Sequence, residues 1–178
     1  MKIAVYCGAA AGDDPAFAAQ ARALGRWIAE NGHTLVYGAG CNGLMGAVSQ
    51  AVLDGGGQAI GVVPHFLATP AQIRYDLSKC YETETMAQRK ETMIRLSDAF
   101  IALPGGVGTL EELSEVVSLY RLGQTKKPCF LFNINGYYDA LGAVFDTMVL
   151  HGFLPEEDRA CIRMPRTIEE IQTALTMP

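Results

Sequence analysis

Residues 104–112 read Pro-Gly-Gly-Val-Gly-Thr-Leu-Glu-Glu and follow directly on the apolar run Phe100-Ile101-Ala102-Leu103. A buried strand is expected to end there, the backbone to turn on Gly105, Gly106 and Gly108, and a helix to begin at the hydroxyl of Thr109, followed by Glu111 and Glu112. Glycines let main-chain N–H groups come close to a ligand, and a new helix aims its positive end at the same place. The chemistry this suits is the binding of a phosphate. A carboxylate beside a phosphate then needs a role of its own. Thr109 and Glu112 also form a Thr-x-x-Glu capping box, in which Glu112 would reach back to the Thr109 amide. A cap does not need three glycines and leaves Glu111 unused, so the segment is expected to meet a ligand.

Two other stretches carry comparable chemistry. Gly38-Ala39-Gly40-Cys41-Asn42-Gly43 has the Gly-x-Gly-x-x-Gly spacing of a dinucleotide fingerprint, between an apolar run and a helical pattern. No acidic residue ends the next strand, where Gly61-Val62-Val63-Pro64 stands, so an NAD site is disfavoured and a tight strand-to-helix turn is expected. Arg89-Lys90 lies between Met86 and Met93 on a predicted helix. A solvated basic face is the ordinary fate of such a pair, but its place before the fifth strand could bring it to the Pro104 turn. There Arg89 could grip a phosphate or stabilise charge at a reacting centre. His33, His65 and His151 lack metal-ligand spacing, and no Gly-x-Ser-x-Gly elbow is present.

The elements that must position these residues follow from the apolar pattern. Strands are expected at 3–7, 34–37, 58–63, 77–82, 98–103, 128–134 and 161–163. Helices are expected at 15–31, 44–53, 85–96, from Thr109 to about Leu122, 137–151 and 168–175, with an irregular loop at 64–75. Asp14-Pro15 supplies an N-cap and a first-turn proline. The strands are continuous apolar runs, which predicts an α/β fold with a doubly wound parallel sheet covered on both faces. At 178 residues and 49% hydrophobic, one domain spanning 1–178 is expected. Ligands of such folds bind beyond the carboxyl ends of the strands, where Gly8 to Gly12, Gly38 to Gly46 and Pro104 to Glu112 all fall.

The net charge of −5 is spread along the chain and argues against nucleic acid as a partner. Five widely spaced cysteines, without a Cys-x-x-Cys pair, fit reduced thiols in a cytoplasm rather than disulfides or zinc. Lys2 with the following apolar stretch is expected to be a strand, not a leader, and no stretch approaches the length of a membrane span.

Taken together, Cys7-Gly8, Gly38 to Gly46 ending in Gly43-Leu44-Met45-Gly46, Met86 with Arg89-Lys90, and Pro104 to Glu112 resemble the LOG (Lonely guy) family, the cytokinin riboside 5′-monophosphate phosphoribohydrolases. The order and spacing match, and the similarity continues through Lys127-Pro128 and Gly136-Tyr137-Tyr138. The resemblance implies a Rossmann-like, usually dimeric protein with its site near the subunit interface. Such a protein hydrolyses the N-glycosidic bond of adenine-type nucleoside monophosphates to free base and ribose 5-phosphate, without metal or redox cofactor. It implies that Gly105, Gly106, Gly108 and Thr109 hold the 5′-phosphate. Glu112, with Glu111 beside it, would engage the ribose and either stabilise positive charge at C1′ or orient the attacking water, and Arg89 would assist departure of the base. Gly40, Gly43, Met86, Lys90, Val107 and Ser118 are expected among the substrate contacts. Many relatives carry a lysine decarboxylase label, which this sequence does not support, since it offers no recognisable Schiff-base lysine context.

Some positions depart from the family pattern. Ala39 replaces the middle glycine of a Gly-Gly-Gly, Ala87 a histidine two residues before Arg89, Ala71 a substrate-contacting glutamate and Val107 a frequent tyrosine. These changes fall on base and ribose contacts and leave the preference between prenylated adenine and plain AMP open. The alternative reading is a non-catalytic carrier or sensor for a nucleotide or molybdenum cofactor. Retention of both Arg89 and Glu112 favours the enzyme, because a carrier needs only the phosphate nest.

Overall fold

The computed structural model describes residues 1–69 and 72–176. Seven strands form one parallel sheet: β1 (Lys2–Tyr6), β2 (Thr34–Tyr37), β3 (Gln58–Pro64), β4 (Lys79–Thr83), β5 (Ala99–Ala102), β6 (Cys129–Leu131) and β7 (Ile162–Arg163), in the order β4-β3-β2-β1-β5-β6-β7. The helices are α1 (Pro15–Glu30), α2 (Gly43–Asp54), α3 (Met86–Leu96), α4 (Val107–Arg121), α5 (Asp139–Leu150), α6 (Glu156–Cys161) and α7 (Ile168–Thr176). Among the described residues no helix is long and apolar enough to cross a membrane.

Alternation along the strands explains the two covered faces. Ile3, Val5, Leu35, Tyr37, Ile101, Phe130 and Phe132 pack with α1, α2 and α7. Ala4, Tyr6, Val36, Val62, Phe100, Ala102 and Leu131 pack with α3, α4 and α5 on the other side. Each fully buried large side chain contributes on the order of 1.5–3 kcal/mol, so a continuous apolar strand is stable only when both faces are roofed. Trp27 is buried against α7, with its Nε1–H directed at Gln172 Oε1, 3.4 Å away.

The chain runs outward from β1 to β4 and then returns to place β5 on the other side of β1. The loops after β1 and β5 therefore diverge and leave a crevice at the switch point. They remain tied at their roots, where Gly8 N–H donates to Pro104 O at 3.0 Å.

Several boundaries differ from expectation. β4 starts two residues later than predicted and β6 stops at Leu131, because a 3-10 turn takes Ile134–Gly136. The loop after β3 opens with a 3-10 turn at His65–Leu67 and returns to the sheet edge through a bridge between Gly40 and Ile73. Helix α6 was not expected; Pro155 and the acidic Glu156, Glu157 and Asp158 mark its start, but six residues are too few to show a period.

Gly43 fixes how α2 meets the crevice. Its φ is +57°, and a Cβ there would run into the Ala9 carbonyl, while Leu44 N–H donates to Gly8 O at 3.1 Å. Gly43→Ala is therefore expected to lower stability by about 2 kcal/mol or more in urea unfolding, from the left-handed backbone and the collision together. An unchanged midpoint and slope would mean that the turn is not held as described.

Candidate active site

The opening turn of α4 is where the structure departs most from the sequence. The helix starts at Val107 with Gly106 as its N-cap, and no side chain caps it. The Thr109–Glu112 capping box is therefore absent. Thr109 lies inside the first turn, buried, with its Oγ1 packed against Gly105, and Glu112 turns inward. Leu110 N–H, to Gly106 O at 3.1 Å, makes the first intrahelical bond. Among the described residues no backbone acceptor takes the N–H groups from Gly106 to Thr109. This is the bare positive end of a fifteen-residue helix, facing the switch-point crevice.

The glycines of the turn differ in what they do. A Cβ at Gly105 would collide with the Thr109 side chain and crowd Gly8 N, so this position is set by close packing. Gly106 and Gly108 have nothing within 4 Å of such a Cβ, and neither has a positive φ. The chain's own structure does not require glycine at either place; the missing side chains keep the space over the N–H groups open. Val107, between them, is 88% exposed on the rim. Gly8, the Ala9–Ala11 run, Gly12, Phe17, Pro104 to Gly106 and Tyr137 enclose a cleft of about 390 Å³ in front of the turn.

Arg89 and Glu112 do not line this cleft; they meet beside Gly38, in the turn after β2. Arg89 Nη1 is 3.2 Å from Glu112 Oε1, and both side chains are nearly buried. Arg89 Nε–H donates to Val62 O at 3.2 Å, and Met86 Sδ lies 4.0 Å from Nη1. Gly38 makes room for this guanidinium: a Cβ there would overlap Nη2. Glu112 Oε1 is buried without an aligned hydrogen-bond donor, which leaves acceptor capacity beside the ion pair. Burial pushes the Glu112 carboxyl up from 4.5 to about 6 against the opposing pull of Arg89, with Glu111 adding a smaller upward push. A carboxyl poised there is largely ionised at neutral pH yet basic enough to take a proton.

Lys90, Glu111 and Ser118 do not join this cluster in the single chain. Lys90 Nζ bridges Glu111 at 2.8 Å and Glu115 at 3.0 Å, tying α3 to α4 on the outer side. Ser118 is exposed ten residues beyond Gly108, about 15 Å further along α4. Gly40 and Met45 belong to a second, mainly apolar cavity of about 220 Å³, lined also by Gly38, Val63, Leu67 and Ile73. Gly38 and Ala9 connect it to the Arg89–Glu112 pair and the first cleft. Ala39 holds the left-handed conformation, φ 63°, that a glycine would take there without strain. Ala87 is exposed in the first turn of α3, and Ala71 lies outside the described residues. Phe17 and Tyr137 are walls of the cleft that no sequence motif singles out, although Tyr137 lies in the Gly136-Tyr137-Tyr138 stretch. Among the described residues no group of three His, Cys, Asp or Glu side chains could hold a metal.

A family described as "Possible lysine decarboxylase" matches residues 45–175. The rice (Oryza sativa subsp. japonica) cytokinin riboside 5′-monophosphate phosphoribohydrolase LOG is 44% identical over 170 residues, covering 96% of this chain and 70% of its own. The enzyme of that name from Rhodococcoides fascians is 40% identical over 177 residues, covering 99% and 89%. The chain belongs to the LOG family. Lys90 lends no support to the decarboxylase description: Glu111 and then Glu115 push its pKa up, the reverse of what a Schiff-base lysine needs. A Chlamydomonas reinhardtii Moco carrier protein (21% identical, TM-score 0.74, covering 98% of this chain and 94% of its own) shares the fold. So does a molybdenum cofactor binding protein of Rippkaea orientalis (22%, TM-score 0.72, 98% and 97%). At those identities the likeness concerns the fold alone.

Two outcomes test the site without turnover. Gly108→Ala adds a Cβ in open space on a helix, so stability is expected to hold or rise by up to about 1 kcal/mol while inorganic phosphate binding weakens at least tenfold by calorimetry. Undiminished binding would remove the phosphate role of the turn. Glu112, raised in the folded state, keeps its proton more tightly there than in the unfolded chain. Its contribution is thus full below pH 4.5 and is lost as pH rises through about 6. Relative to Glu112→Gln, the native protein is expected to weaken by about 2 kcal/mol across that interval in urea unfolding. A pH-independent difference would mean that the carboxyl is not desolvated.

Proposed function

We propose that the protein hydrolyses the N-glycosidic bond of cytokinin riboside 5′-monophosphates, AMP or both, releasing free base and ribose 5-phosphate. The observation that carries this reading is a buried Arg89–Glu112 pair next to an uncapped helix start, in a chain at least 40% identical to phosphoribohydrolases over nearly its full length. The 5′-phosphate sits on the N–H groups of Gly106 to Thr109. The ribose lies over Glu112, and the base enters the apolar cavity lined by Gly40, Met45 and Leu67.

Cleavage breaks the C1′–N bond, leaves positive charge on the sugar and sends the bonding pair to the base. The Glu112 carboxylate stabilises that cation or takes a proton from the water that adds to C1′, while Arg89 stabilises charge on the departing base. Water supplies hydroxide to C1′ and a proton to the base, so no other reactant is consumed. The Arg89 contact keeps part of the Glu112 charge in place, and burial makes that charge more effective than in water.

The protein is further proposed to act in the cytoplasm as a homodimer, for which the exposed apolar Leu122, Leu150 and Phe153 supply surface. Sedimentation as a monomer at assay concentration would contradict the dimer.

Incubation with AMP and with isopentenyladenosine monophosphate, followed by chromatography of free base, tests the reaction. Release of base from at least one is expected, with Glu112→Gln and Arg89→Ala folded but about a hundred- to a thousandfold slower, as expected when a group stabilising transition-state charge is removed. No base from either substrate would sink this reading.

A further inference from the structure

We propose that Tyr137 is a positioning residue for the anion site: its hydroxyl locks the Gly105–Gly106 peptide in the orientation that turns the Gly106 N–H into the cleft. Tyr137 Oη–H donates to Gly105 O at 2.5 Å. In a planar trans peptide the carbonyl and the following N–H point in opposite directions, so gripping one aims the other. Gly106 and Tyr137 both line the cleft, and the Gly106 N–H has no backbone acceptor among the described residues.

The lock answers a weakness in the turn. The peptide before it is held by Gly8 N–H on Pro104 O, 3.0 Å, and the peptide after it by Leu110 N–H on Gly106 O, 3.1 Å. The peptide between lies between two glycines, which rotate about their backbone bonds at little cost. Gly105 cannot be exchanged for a stiffer residue, because a Cβ there would strike Thr109. Only the Tyr137 side chain holds this carbonyl among the described residues.

The ring is placed independently of the hydroxyl. It packs edge-on against Phe17 at 5.6 Å and Tyr138 at 5.0 Å. The preceding turn, with left-handed Asn135 and Gly136, is tied to the start of α1 by Asn135 Nδ2–H on Asp14 Oδ2 at 2.8 Å. Tyr137→Phe therefore removes the lock and keeps the wall.

The inference rests on the phosphate-binding part of the proposed function, and its test separates the two. Calorimetry with ribose 5-phosphate and kinetics with AMP are run on the native protein and on Tyr137→Phe. Expected are a melting temperature within about 3 °C of native, a dissociation constant for ribose 5-phosphate raised roughly 3- to 10-fold, and KM raised alike with kcat within about twofold. The Gly106 amide is expected to gain microsecond-to-millisecond exchange in relaxation-dispersion NMR. An unchanged dissociation constant with a quiet Gly106 amide overturns the lock, whatever the melting temperature does. Native protein that binds ribose 5-phosphate but releases no base overturns the reaction and leaves the lock to be judged by the binding data. Native protein that binds no ribose 5-phosphate overturns both.

Discussion

The first turn of α4 is exposed at its positive end, and much of the surrounding structure follows from keeping it so. A Ser, Thr, Asp or Asn side chain at the N-cap satisfies a leading N–H group, as Asp14 does for α1 and Thr85 for α3, and is worth about 1 kcal/mol. Here the residue at that place is Gly106, and the nearby hydroxyl of Thr109 is turned against Gly105 instead. The β1–β5 switch point brings a second glycine-rich loop opposite, so that a small anion would be approached from two backbones.

The second constraint is the burial of a charged pair. Arg89 on α3 and Glu112 on α4 meet across the top of the sheet with little water around them. Such a pair is a poor device for stability, since desolvation offsets much of the attraction. The upward push on the Glu112 carboxyl, despite an arginine at 3.2 Å, has the same origin. The outer bridge from Lys90 to Glu111 and Glu115 ties α3 to α4, so the inner Arg89–Glu112 pair is not the sole ionic link between these helices. Gly38 completes the arrangement by leaving the guanidinium its place.

The sheet was legible in the sequence because parallel strands roofed on both faces are continuous apolar runs, and Ile3 to Tyr6 or Phe100 to Ala102 admit little else. The meeting of Arg89 with Pro104 to Glu112 was legible from the order of elements: α3 leads into β5, and β5 ends at the motif. The state of Thr109 was not, because Thr-x-x-Glu reads alike whether it caps a helix or lies one turn inside it. Only the three-dimensional position of Gly105 decides where that hydroxyl points. Lys90 was likewise ambiguous, since its neighbour Arg89 faces inward while its own partners come from a helix more than twenty residues on. Tyr137 reaches its carbonyl across 32 residues, and no local spacing encodes such a contact.

The uncapped start of α4 is proposed as a phosphate site set beside the Arg89–Glu112 pair. A crystal structure of the protein with ribose 5-phosphate measures this most directly. The phosphate is predicted on the N–H groups of Gly106 to Thr109, with C1′ of the sugar beside the Glu112 carboxylate. A phosphate bound elsewhere, or Glu112 swung out to cap the helix with the ligand excluded, would contradict it.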